Sequence, residues 1–171
     1  MWIQTTNPWV TIPNLNRIQR KPNDGRFVVV SDIYPTPTTA EADLVLPSAA
    51  WVEREGVFGN TERRTQQWDK VVDPPGEARE DAWQIIEVAK RMGHGDLFPW
   101  PEDDWHEPMF EEYRSFTLGT GKDLASYQQL RETRGMMWPV VDGKETRYRY
   151  AAGYDPYVKK KSGVHFYKAK G

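Results

Sequence analysis

The sequence predicts an α/β fold, in which a parallel sheet with flanking helices precedes an irregular helical and extended segment. Residues 27–30 (Phe-Val-Val-Val) and 44–46 (Leu-Val-Leu) are short, continuous apolar runs, which are typical of strands buried on both faces. Helix-length stretches separate these runs from each other and from a β-prone start at residues 1–6. Strands and helices that alternate in this way indicate parallel pairing with helices over the sheet.

Short helices are expected between the strands, because polar residues that cap helices stand in each connection. Asn14 is placed to cap the first of these helices, and Thr38 or Thr39 is placed to cap the second, at residues 40–42. The crossover between the first pair of strands is of helix length, as parallel pairing requires.

The next stretch, residues 51–72, contains Gly56 and Gly59 within a charged and apolar sequence, and it predicts a loop and a hairpin. The strongest helix candidate follows it. Five apolar side chains share one face of that helix at helical spacing: Ala82, Ile85, Ile86, Ala89 and Met92. Gly93 follows its basic end, as helix stop signals predict.

Regularity falls after this helix, and we expect two parts. Residues 1–95 form the α/β part, and residues 96–171 form an irregular helical and extended connecting segment. Helices are predicted within this segment at residues 107–116 and 123–134. Tyr, Gly and charged residues follow without a sustained period, which favours extended chain.

Composition excludes several classes of protein. The 23 basic and 25 acidic residues give a net charge of −2, which does not favour nucleic acid as a partner. No apolar run reaches the length of a membrane span. The sequence has no Cys, and its three His residues lie far apart, so no metal ligands are predicted. Neither a complete phosphate loop nor a dinucleotide-binding glycine motif is present.

Polar residues at the ends of two predicted strands are candidates for ligand binding. Asp32 directly follows one strand and Asn7 ends another, and the carboxyl ends of parallel strands share one edge of the sheet. An acidic group there can accept hydrogen bonds from ribose, although it can also cap a helix. The block Glu-Arg-Glu-Gly at residues 53–56, followed by Gly-Asn-Thr-Glu-Arg-Arg at 59–64, combines closely spaced Gly with Arg. It fits either an anion site or a buried ion-pair network.

Three longer motifs resemble the molybdopterin oxidoreductases. They are Ser-Asp-Ile-Tyr-Pro-Thr at residues 31–36, Ala-Asp-Leu-Val-Leu-Pro at 42–47, and Trp-Val-Glu-Arg-Glu-Gly with Gly-Asn-Thr-Glu-Arg-Arg at 51–64. Narrower features, such as Pro-Gly-Glu-Ala-Arg at 75–79 and Trp-Pro-Val-Val-Asp-Gly-Lys-Glu at 138–145, are similar to the catalytic subunit of periplasmic nitrate reductases. The resemblance covers nearly the whole chain.

The resemblance implies a Rossmann-like part that binds the guanine dinucleotide of a molybdenum-bis(molybdopterin guanine dinucleotide) cofactor. It implies the family's binding positions at Asn7, Ser31, Asp32, Arg54 and Asp81. At Arg54 the family often has Lys, so the charge is kept but the donor geometry differs. Without the resemblance, Asp81 would be interpreted as a helix N-cap.

The resemblance also implies an activity for a longer parent enzyme, which is the two-electron reduction of nitrate to nitrite in nitrate assimilation. In that subfamily a Cys thiolate binds molybdenum and four Cys hold a 4Fe-4S cluster, whereas this sequence has no Cys. The chain is therefore expected to correspond to an internal segment, inactive alone, whose partners are the remaining domains and a cytochrome-type electron-donor subunit in the periplasm. Because the cofactor carries the reaction in this family, the resemblance implies no catalytic residue in this segment. The alternatives are a segment of a formate dehydrogenase or assimilatory nitrate reductase, and a stand-alone nucleotide-binding or interaction module.

Overall fold

The computed structural model describes residues 1–18 and 25–158, and two compact units can be distinguished within the chain. Unit 1 comprises Met1–Arg54 and Lys70–Pro99, and unit 2 comprises Glu55–Asp69 and the chain from Trp100 onward. The predicted division between residues 95 and 96 stays a prediction, and residues 159–171 of the predicted connecting segment lie outside the described residues.

Unit 1 contains a three-stranded parallel sheet, which confirms the predicted fold class. Strands β1 (Trp2–Gln4), β2 (Val29–Asp32) and β3 (Leu44–Pro47) lie in the order β1-β2-β3. Helices α1 (Pro8–Thr11) and α2 (Leu15–Ile18) separate the first two strands, and α3 (Pro37–Ala40) separates the second two. Helix α4 (Asp81–Arg91) follows, and the core of the unit is formed by Ile3, Trp9, Val28 and Val30.

Strand β2 begins two residues later than predicted. Phe27 is 60% exposed, and the backbone N–H of Val28 donates to the carboxylate of Asp43 at 2.7 Å instead of to a strand carbonyl. The strand then continues through Ser31 to Asp32. Asp32 is therefore the last residue of the strand and does not follow it.

The prediction that residues 44–46 are buried was wrong. Leu44 and Val45 are each 44% exposed. Strand β3 lies at one end of the strand order, so among the described residues it pairs with β2 alone. An apolar run predicts a strand, but it does not indicate whether other elements cover that strand.

The two helices next to these strands also differ from expectation. Helix α3 is capped by Thr36, whose hydroxyl accepts from the Thr39 N–H at 3.2 Å, and Thr38 is buried within the helix. In α4 the predicted apolar face is only partly covered, because Ile86 is 8% exposed but Ile85 is 42% exposed. The polar side chain of Gln84, at 4% exposure, is buried in its place.

Unit 2 contains the predicted hairpin, formed by antiparallel strands β4 (Gly56–Gly59) and β5 (Arg64–Trp68). Strand β6 (Met136–Met137) pairs with β5, and strands β7 (Val140–Val141) and β8 (Lys144–Glu145) form a separate ladder. The helices are α5 (His106–Ser115) and α6 (Tyr127–Thr133). The core comprises Phe110, Leu124, Ala125, Tyr127, Leu130, Met136 and Val140.

Helix α6 begins at Tyr127 and not at the predicted residue 123, because Asp123 has another role. Its carboxylate accepts from the backbone N–H groups of Gly119 at 2.6 Å and Gly121 at 3.1 Å, which holds a loop. Ser126 then caps the helix by accepting from the Gln129 N–H at 3.2 Å. Across the two described ranges, no helix combines the length and apolar character that a membrane crossing needs.

Candidate functional site

A cavity of about 400 Å³ lies in unit 1 at the carboxyl ends of the parallel strands. Residues that end or follow each strand contribute to its lining, which is the arrangement expected for ligand sites in open α/β sheets. All five predicted binding residues line this one cavity: Asn7, Ser31, Asp32, Arg54 and Asp81. The structure therefore brings together residues that are up to 74 positions apart in the sequence.

Arg54 and Asp81 form an ion pair at the wall of the cavity. The Arg54 Nη1 donates to Asp81 Oδ2 at 3.0 Å, and the two side chains are 27% and 17% exposed. The other oxygen of Asp81 accepts from the Ser48 hydroxyl at 2.8 Å and from the Gln4 amide at 3.3 Å. Asp81 is therefore held by three donors of this chain. It is not the N-cap of α4, which is Glu80.

Asp32 is half-buried and is held more loosely. Its Oδ1 accepts from the Tyr34 backbone N–H at 3.3 Å, and its Oδ2 is 3.5 Å from the Thr36 hydroxyl. Both distances are long for hydrogen bonds to a carboxylate, which are usually shorter than 3 Å. An ionised carboxylate has about four acceptor positions, so Asp32 retains capacity for donors from a ligand.

Asn7 keeps its donor group for other partners. Its carbonyl Oδ1 accepts from the Thr38 hydroxyl at 2.5 Å, and that hydroxyl accepts from the Trp9 backbone N–H at 3.0 Å. Within residues 1–18 and 25–158, no acceptor pairs with the Asn7 amide Nδ2. Asn7 does not end β1, as predicted, because that strand ends at Gln4. Asn7 instead precedes α1 without capping it through its side chain. The amide group is thus oriented by Thr38, with two N–H donors at the cavity.

Ser31 differs from the other four residues, because its hydroxyl is already engaged on both sides. It is 1% exposed, accepts from the Trp2 indole N–H at 2.8 Å and donates to Gln84 Oε1 at 2.7 Å. Its side chain therefore stabilises the end of β2, and we assign it no contact with a ligand.

Sequence reasoning missed other residues of the lining. Ser48 follows β3, so the same strand-end rule that found Asp32 and Asn7 could have found it. Tyr34 and Trp51 also line the cavity and are 69% and 52% exposed, and their rings offer flat apolar surfaces. No spacing signal marks these two aromatic residues.

The lining has the chemistry of a site for a polar organic ligand. It combines a carboxylate that accepts, a guanidinium and an amide that donate, and two exposed aromatic rings. Among the residues that the structure describes, no group of three or more His, Asp or Glu side chains is arranged to hold a metal ion.

Comparison with known proteins gives a family for the same part of the chain. Residues 1–91, which include the whole cavity lining, match the molybdopterin oxidoreductase family. Acetylene hydratase from Pelobacter acetylenicus is a similar solved structure, with 27% sequence identity and a TM-score of 0.46. The similarity covers 76% of this chain, and the chain spans 19% of that protein's length. The family match extends over more than half of the residues of this chain. The chain therefore belongs to the molybdopterin oxidoreductase family.

Proposed function

We propose that the cavity of unit 1 binds the guanine dinucleotide part of a molybdopterin guanine dinucleotide cofactor, in a molybdenum enzyme that reduces nitrate to nitrite. The observation that carries this proposal is the position of Asn7, Asp32 and Arg54 around one cavity within the matched residues. Each of these side chains retains hydrogen-bonding capacity toward the cavity.

The chemistry of the lining fits such a ligand. Ribose hydroxyls and the N1 and N2 groups of guanine donate hydrogen bonds, and the Asp32 carboxylate accepts them. Charge-assisted hydrogen bonds of this kind contribute about 1.5–3 kcal/mol each. The Arg54 guanidinium suits the anionic phosphates, and the exposed rings of Tyr34 and Trp51 suit contact with a base. The residues present therefore fit the group.

In this proposal the chain's own residues bind and orient, and none of them reacts. The bound cofactor supplies the molybdenum redox chemistry of two-electron nitrate reduction. Asp32 and Asn7 hold the nucleoside end, Arg54 neutralises phosphate charge, and Asp81 keeps Arg54 in place. The rest of the proposed enzyme supplies the 4Fe-4S cluster and the molybdenum ligand, accepts electrons from a cytochrome-type subunit and acts in the periplasm.

Cofactor occupancy in the full-length protein tests this proposal. Asp32→Ala should lower the guanine nucleotide and molybdenum recovered per mole of protein, because a ligand donor loses its acceptor. Asp73→Ala is a matched control, because Asp73 is 87% exposed and lies outside the cavity lining. Full occupancy in both Asp32→Ala and Asp81→Ala would contradict the proposal and leave these residues with structural roles alone.

Turnover separates the nitrate assignment from the alternatives. With a reduced viologen dye, the full-length protein should reduce nitrate, whereas formate oxidation without nitrate reduction would favour a formate dehydrogenase. The 171-residue chain alone should show neither turnover nor stoichiometric molybdenum, since it has no Cys to act as the metal ligand. A chain that bound guanine nucleotide tightly without any larger enzyme would favour the stand-alone module.

A further inference from the structure

Gln84 is a buried polar residue that neither the predicted helix face nor the proposed ligand contacts explain. It lies in α4 at 4% exposure, and its side chain makes four hydrogen bonds. Its Oε1 accepts from the Ser31 hydroxyl at 2.7 Å. Its two Nε2 hydrogens face three acceptors, so one N–H is shared between two of them. The acceptors are the Pro47 carbonyl at 3.1 Å, the Arg79 carbonyl at 3.2 Å and the Ser48 hydroxyl at 3.4 Å. One side chain thereby links the ends of β2 and β3 to α4.

Groups that can only donate or only accept determine the direction of each hydrogen bond in this network. The Pro47 and Arg79 carbonyls can only accept, so the Gln84 amide presents Nε2 to them and Oε1 to Ser31. The Ser31 hydroxyl therefore donates to Oε1 and accepts from the Trp2 indole, which can only donate. In this amide orientation Nε2 also faces Ser48. At the other end the Asp81 carboxylate can only accept, so the Ser48 hydroxyl donates to it.

We infer that Gln84 is a positioning residue of the cavity, which sets the Arg54 guanidinium through Ser48 and Asp81. This inference rests on the proposed function. Gln84 occupies the acceptor side of the Ser48 hydroxyl, which directs the Ser48 proton to Asp81 Oδ1, while Oδ2 remains available to Arg54 at 3.0 Å. The ion pair at the cavity wall is thus oriented before any ligand binds.

Replacement of Gln84 by an apolar side chain should redirect the Ser48 hydroxyl. Gln84→Met removes the Nε2 donor from the Ser48 hydroxyl, which is then no longer held on its acceptor side. The Pro47 and Arg79 carbonyls still accept a backbone hydrogen bond each, from Arg79 N at 3.1 Å and from Ala49 N at 2.9 Å respectively. The Ser31 hydroxyl loses its acceptor but still accepts from the Trp2 indole. No buried carbonyl is left without a partner, so the variant should fold.

The first experiment measures guanine nucleotide retention by the purified full-length protein during dialysis. Gln84→Met should lose the nucleotide about tenfold faster than the wild type, whereas Ile86→Ala should not. Ile86 is a matched control, because it is buried in the same helix but belongs to no part of the network. Equal loss rates in the wild type and Gln84→Met would overturn the inference.

A double-mutant cycle tests whether Gln84 acts through Arg54. In an Arg54→Met background, Gln84→Met should change retention by less than about twofold, because the residue it positions is gone. If the change in the loss rate of the double variant equalled the product of the two single-variant changes, the positioning role would be contradicted. Ser48→Ala interrupts the same network without altering Gln84 and should reproduce the Gln84→Met result, which covers the case of a poorly folding Gln84 variant.

A wild-type protein without guanine nucleotide would refute the proposed function, and the inference would then be decided by stability. The same cycle is measured on the unfolding equilibrium constant in urea. A departure of about fivefold from the product of the single effects supports coupling between Gln84 and Arg54. A control cycle combines Ile86→Ala with Arg54→Met. If the Gln84 and Arg54 effects multiplied as independently as those of the control cycle, the inference would be overturned.

Discussion

Two Arg–Asp pairs, one in each unit, are built in different ways. In unit 2, Arg149 Nη1 donates to Asp155 Oδ2 at 2.6 Å, and its Nη2 donates to the Gly121 carbonyl at 2.6 Å. Asp155 also accepts from the backbone N–H groups of Tyr150 and Tyr157, and its side chain is fully buried. In unit 1, Arg54 donates to Asp81 through Nη1, and within the described part of the chain no acceptor pairs with its Nη2.

The comparison indicates that the hydrogen-bond partners around an arginine distinguish a structural role from a ligand-binding role. The guanidinium of Arg149 is closed in by partners of its own chain, as suits a residue that holds unit 2 together. Arg54 lines a cavity and retains donors there, as suits a residue that binds an anion. Each arginine has a buried Nε without a hydrogen-bond partner among the described residues, so that atom does not distinguish them.

The largest expected effect tests the closed pair. Asp155→Asn should lower the free energy of unfolding by about 3–5 kcal/mol, because it removes the fully buried carboxylate and leaves the Arg149 guanidinium without a counter-ion. Urea unfolding at neutral pH measures this change. The equivalent change in unit 1, Asp81→Asn, should cost about 1–2 kcal/mol, since that pair is partly exposed. Equal losses in the two variants would break the comparison.

Low pH should destabilise the same network of unit 2, and the loss of stability should be smaller than in Asp155→Asn. Burial raises the pKa of Asp123, but hydrogen bonds from the Gly119 N–H, the Tyr157 phenol and the Gly121 N–H outweigh it, so the net pKa lies below the ordinary 3.8. Burial also raises the pKa of Asp155, and the Tyr150 and Tyr157 N–H groups and Arg149 more than offset it, so that pKa is lowered as well.

Carboxylates with a lowered folded pKa stabilise the protein above their unfolded pKa, and this stabilisation is lost as pH falls through the folded value. The free energy of unfolding should therefore be constant near neutrality and should decrease below about pH 4. Asp123→Asn should reduce the slope of that decrease, whereas Asp73→Asn, at an exposed position, should leave more of the slope in place. An unchanged slope in Asp123→Asn would refute the role of this network.

The smallest effect concerns the backbone beside the cavity. Thr5 directly follows β1, lines the cavity and has a φ of 60°, which is unfavourable for a β-branched residue. Thr5→Gly should raise the free energy of unfolding by about 0.5–1 kcal/mol, because relief of strain exceeds the added chain entropy. The neighbouring Thr6→Gly lacks this strain and should instead destabilise. Thermal unfolding of both variants measures the difference, and a loss in Thr5→Gly would indicate that its side chain contributes more than the strain.

Much of unit 1 could be predicted from sequence, because its strands and connections are local patterns. Apolar runs predicted β2 and β3 to within two residues, and the strand-end rule placed Asn7 and Asp32 at one edge of the sheet. The exposure of Leu44 and Val45 could not be predicted, because burial depends on which elements cover a strand and not on the strand itself.

The network behind the cavity could not be predicted for a similar reason. Gln84 lies between apolar residues of a periodic helix, and its hydrogen bonds reach residues far from it in the sequence. Likewise, Asp123 was predicted to be helical, since nothing in its local sequence indicates that its carboxylate accepts from two glycine N–H groups. The partners of polar side chains that hold loops and helix ends are set by the tertiary structure. The periodicity of the local sequence does not indicate them.

The interruption of unit 1 by residues 55–69 has a consequence for synthesis on the ribosome. The hairpin of β4 and β5 is made before α4, which completes unit 1, but its third strand β6 is made only after α5 and α6. Until then, one edge of β5 is open to pairing with other nascent chains. Neither unit can therefore be completed strictly in the order in which its residues leave the ribosome, and the hairpin edge is the segment that a chaperone would need to shield.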